Sequence, residues 1–167
     1  MPRHQVKTKE MIQFVGEYTA KVDDKGRVVF PSALKAQVQQ DGCTDGTRGA
    51  DMRFIVKKDL WEDCLCMYTF TEWERQSERT MSKINFLKRS DSAYWRQYTR
   101  GRAIVEPEEK LGRLSIPKTL LESIGAGKEL VFCGCDNKIE IWSKEKFDCS
   151  GLSSDEFISL TESISER

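Results

Sequence analysis

The apolar residues of this chain come in short clusters, and the spacing within each cluster assigns it to a strand or a helix. Short strands are predicted at 17–22, Val28-Val29-Phe30, Phe54-Ile55-Val56, Leu65-Cys66-Met67-Tyr68, 103–106, Leu114-Ser115-Ile116, Leu130-Val131-Phe132 and Lys138-Ile139-Glu140-Ile141-Trp142. Helices are predicted at 32–38 and 118–124. Pro31 and Pro117 suit the first helical position, where a missing N–H costs nothing, and Gly125 and Gly127 close the second of these helices. Residues 71–100 contain a single Gly-free, Pro-free stretch and read as helical, with Trp73, Ile84 and Leu87 forming one apolar stripe and Tyr94, Trp95 and Tyr98 another. Ser90 is the expected cap between two helices there. In the tail, Ser153 or Ser154 caps a short amphipathic helix with Phe157, Leu160 and Ile164 at i, i+3 and i+7, a face suited to a neighbouring subunit. Residues 41–52, rich in Gly, Asp and Thr, read as an exposed loop.

These elements repeat. Val22-Asp23-Asp24-Lys25-Gly26-Arg27-Val28-Val29-Phe30-Pro31 returns as Glu108-Glu109-Lys110-Leu111-Gly112-Arg113-Leu114-Ser115-Ile116-Pro117, each followed by a helical stretch. A looser echo relates Cys64-Leu65-Cys66-Met67-Tyr68 and Trp73 to Lys138-Ile139-Glu140-Ile141-Trp142 and Phe147. The repeating unit is strand, Gly-Arg turn, strand, helix and hairpin, the second hairpin closing on Asp136-Asn137. Gly26 and Gly112 supply the positive φ that the tight turns need, and Asp23 and Glu109 are the expected acceptors of backbone hydrogen bonds across them. One unit is too small to bury much apolar surface alone, so the two are expected to pack as a pseudo-two-fold pair.

Composition narrows the function classes. Hydrophobic residues make up 38% of the 167, enough for a folded core, yet no apolar run is long enough for a membrane helix and no secretory signal opens the chain. A cytoplasmic protein is the resulting expectation. The single histidine, His4, lies in a polar terminal segment, which leaves no ordered imidazole for a nucleophilic triad or a multi-histidine metal site. No Gly-rich phosphate loop is present, and an enzyme is not expected.

The formal net charge is zero, so nucleic-acid binding requires segregated charge. Over residues 1–35, Arg3, Lys7, Lys9, Lys21, Lys25, Arg27 and Lys35 outnumber the acidic residues, and Lys and Arg again exceed Asp and Glu over 72–102. Arginine offers a rigid fork to guanine edges or phosphate, lysine suits phosphate, and a β-ribbon is narrow enough for a major groove. The competing role for Arg27 is structural, an ion pair with Asp23 that merely fixes the turn. Cys64/Cys66 and Cys133/Cys135 form two Cys-x-Cys pairs, read as small buried core residues in preference to metal ligands, and no disulfide, metal or cofactor is expected. The Tyr94, Trp95 and Tyr98 cluster is read as core or subunit interface in preference to a base-stacking platform.

Gly16-Glu17-Tyr18, Asp23-Asp24-Lys25-Gly26-Arg27 with Pro31, Tyr68-x-x-x-Glu72-Trp73, Gly112-Arg113 and Ile139-Glu140-Ile141-Trp142 together resemble the MraZ family of bacterial transcriptional regulators, over roughly residues 14–147. The resemblance implies an α+β, mainly β fold: two tandem SpoVT-AbrB-like units of the swapped-hairpin, double-split β-barrel-like kind, forming a pseudo-two-fold domain with peripheral helices. The implied layout is a tail at 1–13, unit one at 14–70, a helical connector at 71–100, unit two at 101–147 and a terminal helix at 148–167. Residues 1–10 are either a tail or a misassigned start with Met11 the alternative initiator. The resemblance further implies a nucleoid-associated repressor that assembles into an octamer-like homo-oligomeric ring. Its partner would be double-stranded DNA carrying short direct repeats, in the promoter of the division and cell-wall genes. By position, Arg27 and Arg113 would touch DNA, with Lys21, Lys25 and Lys110 beside them. The second turn departs from the family pattern at Glu109 and Leu111, which weakens its claim to DNA. The competing function is a ring-forming or antitoxin-like protein-interaction module without direct operator binding.

Overall fold

The computed structural model describes residues 12–41 and 51–167; the expected tail at 1–10, His4, Cys43 and most of the expected loop at 41–52 lie outside them. The elements run β1 (Glu17–Lys21), β2 (Arg27–Val29), α1 (Ser32–Asp41), β3 (Phe54–Lys58), β4 (Leu65–Thr69), α2 (Phe70–Met81), α3 (Arg89–Thr99), β5 (Ala103–Val105), β6 (Arg113–Ser115), α4 (Lys118–Ser123), β7 (Glu129–Cys135), β8 (Lys138–Ser143), α5 (Lys144–Asp148) and α6 (Ser154–Ser165). The fold is α+β and mainly antiparallel β. Six strands form one sheet in the order β1-β7-β8-β4-β3-β5, and β2 pairs with β6 in a separate two-stranded ribbon.

The two copies of the repeat exchange strands. β1 of the first copy pairs with β7 of the second, β5 of the second pairs with β3 of the first, and the two hairpins meet where β4 pairs with β8. The ribbon is reciprocal as well: Phe30 N–H donates to the Gly112 carbonyl at 2.9 Å, and Ile116 N–H donates to the Gly26 carbonyl at 3.0 Å. Alternation along the strands turns Phe54, Val56, Leu65, Met67, Leu130, Phe132, Ile139 and Ile141 to one face, where they meet Val28 and Leu114 of the ribbon, Leu34 and Val38 of α1, and Leu120 and Ile124 of the α4 segment.

The opposite face repeats an arrangement of its own. At the end of β4, Tyr68 meets Trp73 of α2 with ring centroids 5.7 Å apart; at the end of β8, Trp142 meets Phe147 of α5 at 6.3 Å. Each helix is capped in the same way, Thr69 accepting from Glu72 N–H and Ser143 from Lys146 N–H. Buried Glu72 then ties α2 to the β7–β8 turn by accepting from Asn137 Nδ2 at 3.2 Å.

Three local expectations need correction. The helical stretch at 71–100 ends at Met81 and restarts at Arg89, so Ile84 and Leu87 lie in the connection, and Leu87 is almost fully exposed rather than part of a stripe with Trp73. Ser90 is not the cap: Lys88 occupies that position without a side-chain bond, and Asp91 Oδ2 reaches back to accept from Asn85 N–H. Cys64 and Cys66 are buried in packed clusters on the outer face of the sheet, as a core role requires, but Cys133 and Cys135, read the same way, are only half-buried. Tyr98 packs on Trp73 and Trp95 on that same outer face, as a packing role requires.

Gly26 and Gly112 both have positive φ, +78° and +67°, but their surroundings differ. A Cβ on Gly26 would lie 2.7 Å from the Ile116 carbonyl oxygen, whereas one on Gly112 would meet open space. Gly112→Ala is therefore expected to cost only the left-handed backbone penalty of about 1–2 kcal/mol. Gly26→Ala must also displace a ribbon backbone and is expected to cost clearly more. Urea denaturation of both variants checks this, and equal losses would contradict it.

Candidate nucleic-acid interface

Three residues of alternating direction suffice to build the site. The middle residues of the ribbon strands, Val28 and Leu114, point inward and are buried, a contribution of about 1.5–3 kcal/mol each. That burial fixes the outer face, which carries Arg27 and Val29 from β2 and Arg113 and Ser115 from β6. Val29 lies opposite Arg113 and Ser115 opposite Arg27, so the two arginines are diagonal neighbours, roughly 7–8 Å apart along the ribbon.

Each arginine is held by the turn that precedes it. Asp23 Oδ1 accepts from the N–H groups of Lys25 and Arg27, both at 2.9 Å, and its Oδ2 accepts from Arg27 Nε at 2.7 Å. The second turn is one residue wider. Gly112 N–H donates to the Glu108 carbonyl there, whereas Gly26 N–H donates to the Asp23 carbonyl three residues back. The carboxylate facing Arg113 Nε is consequently Glu108, not the expected Glu109, which is exposed. Sequence alignment of the copies hides this, because the extra residue shifts the acidic side chain by one position.

Both pairs hold the guanidinium by its Nε edge. Among the described residues the η nitrogens of Arg27 and Arg113 have no hydrogen-bond partner, and the two side chains keep 32% and 26% of their surface accessible. Asp23 is held below the ordinary carboxylate range, first by the Arg27 backbone N–H and then by its guanidinium and the Lys25 N–H. The Arg113 guanidinium lowers Glu108 in the same way, and Glu108 raises Arg113 in return. A carboxylate with a lowered pKa stabilises the folded state above its unfolded value of about 4, and that contribution is lost as the pH falls through the lowered one. At neutral pH both clamps are therefore fully formed.

Lys25 lies in the first turn, just before Arg27, and Lys110 in the second, before Arg113; both lysines are exposed, and the two arginines are half-buried. Lys21 is not on the ribbon; it ends edge strand β1, opposite Glu129. The tips also differ, since exposed Leu111 stands where the first turn has Lys25. Asp24 and Glu109 lie in the same turns, so the surface is not a strongly basic patch; its character comes from two oriented forks. The aromatic cluster of α2 and α3 sits on the sheet face away from the ribbon and adds nothing to this surface. Among the described residues no helix is long and apolar enough to cross a membrane.

A family model described as "MraZ protein, putative antitoxin-like" matches residues 108–157, which include the second turn and the second hairpin. The chain is 37% identical over 158 residues to the transcriptional regulator MraZ of Christiangramia forsetii, covering 92% of this chain and 94% of that protein. It is 32% identical over 154 residues to its counterpart in Bacteroides thetaiotaomicron, at 92% and 93% coverage, and 34% identical over 154 residues to that of Acetivibrio thermocellus, at 92% and 95%. With similarity of this level running through both turns, both hairpins and the ribbon between them, the chain belongs to the MraZ family of transcriptional regulators.

Proposed function

We propose that this regulator binds double-stranded DNA through the outer face of the β2–β6 ribbon, with Arg27 reading a base edge and Lys25 and Lys110 contacting phosphate. The observation that carries the reading is the pair of diagonal arginines, each pinned through Nε with its η nitrogens left without a hydrogen-bond partner among the described residues. Holding the fork in advance lowers the entropy lost on contact, which is the advantage of a clamped arginine over a free one. Arg113 contributes as a second, weaker contact, because its turn carries Leu111 in place of a lysine. Lys21 serves as an outlying phosphate contact.

One ribbon with balanced charge binds weakly, so useful affinity comes from several copies in a closed homo-oligomeric ring. Contact with one short direct repeat raises the effective concentration of the next ribbon near its own repeat. Supporting this, α6 exposes Phe157, Ile158, Leu160 and Ile164 together, an apolar helix face with more of its surface uncovered than a lone chain has reason to keep. The target is a promoter of the division and cell-wall genes, the outcome repression, and the place of action the nucleoid. In the competing role, an antitoxin-like module, α6 or the ribbon binds a different protein and no operator is retained.

Arg27→Ala is expected to weaken binding to a repeat-containing promoter fragment by on the order of tenfold to a hundredfold per engaged ribbon. Lys25→Ala should instead weaken all sequences alike and reduce the salt slope by about 0.9 per lost phosphate contact. Gel-shift titrations across a salt series separate the two, and unchanged promoter affinity for Arg27→Ala would sink the proposal.

Leu160→Asp lies on an exposed helix and is expected to leave the secondary structure of the chain intact by circular dichroism. Sedimentation should nevertheless show the assembly falling to smaller species, with promoter affinity dropping in step. A variant that assembles and binds normally would remove α6 from the interface.

A further inference from the structure

The face of the six-stranded sheet away from the main core carries a cluster that lies outside the ribbon proposed to bind DNA. Asp59, just beyond β3, Cys64 and Cys66, at the start of β4, and Glu140, on β8, each offer one donor atom, and these four atoms lie within 4.8 Å of one another. Cys66 Sγ is 3.2 Å from Asp59 Oδ1, and Cys64 Sγ is 3.8 Å from Glu140 Oε2. Both cysteines are buried.

The orientation of the two carboxylates is what makes the cluster a site. Asp59 uses Oδ2 to accept from the N–H groups of Trp61 and Glu62, at 2.9 and 2.8 Å, which leaves Oδ1 for the thiols. Glu140 uses Oε1 to accept from the Trp142 indole N–H at 3.2 Å, which leaves Oε2 for them. Each acid thus has one oxygen fixed by a protein donor and the other aimed at the sulfurs, the arrangement that outer-shell hydrogen bonds impose on metal ligands. A tetrahedral dication with metal–sulfur bonds of about 2.3 Å and metal–oxygen bonds of about 2.0–2.2 Å needs donors roughly 3.3–3.8 Å apart. The observed spread closes to that with shifts of about an ångström at the widest pairs.

We propose that Asp59, Cys64, Cys66 and Glu140 form a binding site for a zinc-class dication, and that the Lys138 ammonium competes with the metal for the same donors. Lys138 Nζ lies 3.2 Å from Glu140 Oε2, 3.8 Å from Cys66 Sγ and 4.0 Å from Asp59 Oδ1, so it touches three of the four ligands. The neighbouring cations are engaged elsewhere: Lys57 Nζ sits 4.3 Å over the Tyr98 ring, and Lys58 Nζ donates to the Glu62 carbonyl at 2.6 Å. Binding replaces the two thiol protons by the dication, M²⁺ + 2 RSH → M(SR)₂ + 2 H⁺, and leaves the net charge of the cluster unchanged. Thiolate donors select zinc-class ions over magnesium or calcium.

The placement gives the metal a structural consequence. Asp59, Cys64 and Cys66 belong to the hairpin of the first copy and Glu140 to that of the second, so a bound ion bridges the β4–β8 seam where the copies meet.

The test is a titration of the full-length, thiol-reduced, metal-stripped protein with cobalt(II), followed by competition with zinc. One equivalent is expected to produce a thiolate-to-cobalt charge-transfer band and visible ligand-field bands of tetrahedral intensity, both removed by zinc, with a rise in thermal midpoint. The Cys64→Ser/Cys66→Ser variant should lose the bands, whereas Cys133→Ser/Cys135→Ser should keep them. Trp142→Phe, which frees Glu140 Oε1, should weaken cobalt binding by about 10–100-fold. Lys138→Met should tighten it. If the paired serine variant is misfolded by circular dichroism, Glu140→Gln, which keeps both thiols, must still weaken binding and alter the ligand-field bands. No charge-transfer band in the wild type would overturn the proposal. So would bands that survive in a folded Cys64→Ser/Cys66→Ser protein or that depend on Cys133 and Cys135, or a Glu140→Gln spectrum identical to that of the wild type.

Discussion

Neither copy of the repeat can bury its own short strand after the Gly-Arg turn, and the architecture follows from the way that problem is solved. A three-residue strand has one inward position, here Val28 or Leu114, and no ladder long enough to stand alone. Pairing the two strands with each other supplies backbone partners and sets both inward residues over the larger sheet. The exchange of β1 and β5 between the copies then locks the ribbon in place, because each flanking strand is committed to the other copy's hairpin. The outer face of the ribbon is what remains, and the sequence places an arginine at the start of each strand on it.

On the proposed reading, the clamp on those arginines serves recognition as well as the turn. A structural ion pair and a recognition contact are alternatives only when the carboxylate occupies the edge of the guanidinium that a ligand needs. Here it takes Nε, and the turn N–H groups of Lys25 and Arg27 hold the Asp23 carboxylate in turn. The side chain is positioned without its η nitrogens being consumed. An exposed ion pair of this kind adds little to stability, so its value lies in orientation.

Features governed by local chemistry were legible in the sequence. Positive φ at Gly26 and Gly112, the Asp136-Asn137 hairpin turn with Asp136 at φ 55°, the Ser153 cap and the strand-to-helix echo of Trp73 and Phe147 all follow from a few neighbouring residues. The misses have a different origin. Leu87 continues an apolar spacing into a connection where it is almost fully exposed, and Ser90 cannot cap because the helix starts one residue before it, at Arg89, with Lys88 in the cap position. Glu108 replaces Glu109 because one extra residue in a turn changes which side chain faces across it, a difference of backbone path that no pairing of letters reveals. The meeting of Cys64 and Cys66 with Glu140 depends on the register of β4 against β8, across the boundary between copies.

The inequality of the two turns matters for how a pseudo-symmetric ribbon meets a polar target. A ribbon with identical ends would engage DNA equally well in either direction, and its pseudo-two-fold axis would favour inverted sites, as two-fold symmetric dimers do. This ribbon has a short turn with Asp23 and Lys25 at one end and a wider turn with Glu108 and exposed Leu111 at the other. On the proposed reading both ends offer a lysine to phosphate, Lys25 and Lys110, but only the wider turn adds an exposed apolar side chain, Leu111, and that inequality gives the ribbon a preferred direction along the groove. Copies related by rotation in a ring present that direction in the same sense, so on the proposed reading the divergence of the second turn is what matches a pseudo-two-fold protein to repeats that all point one way.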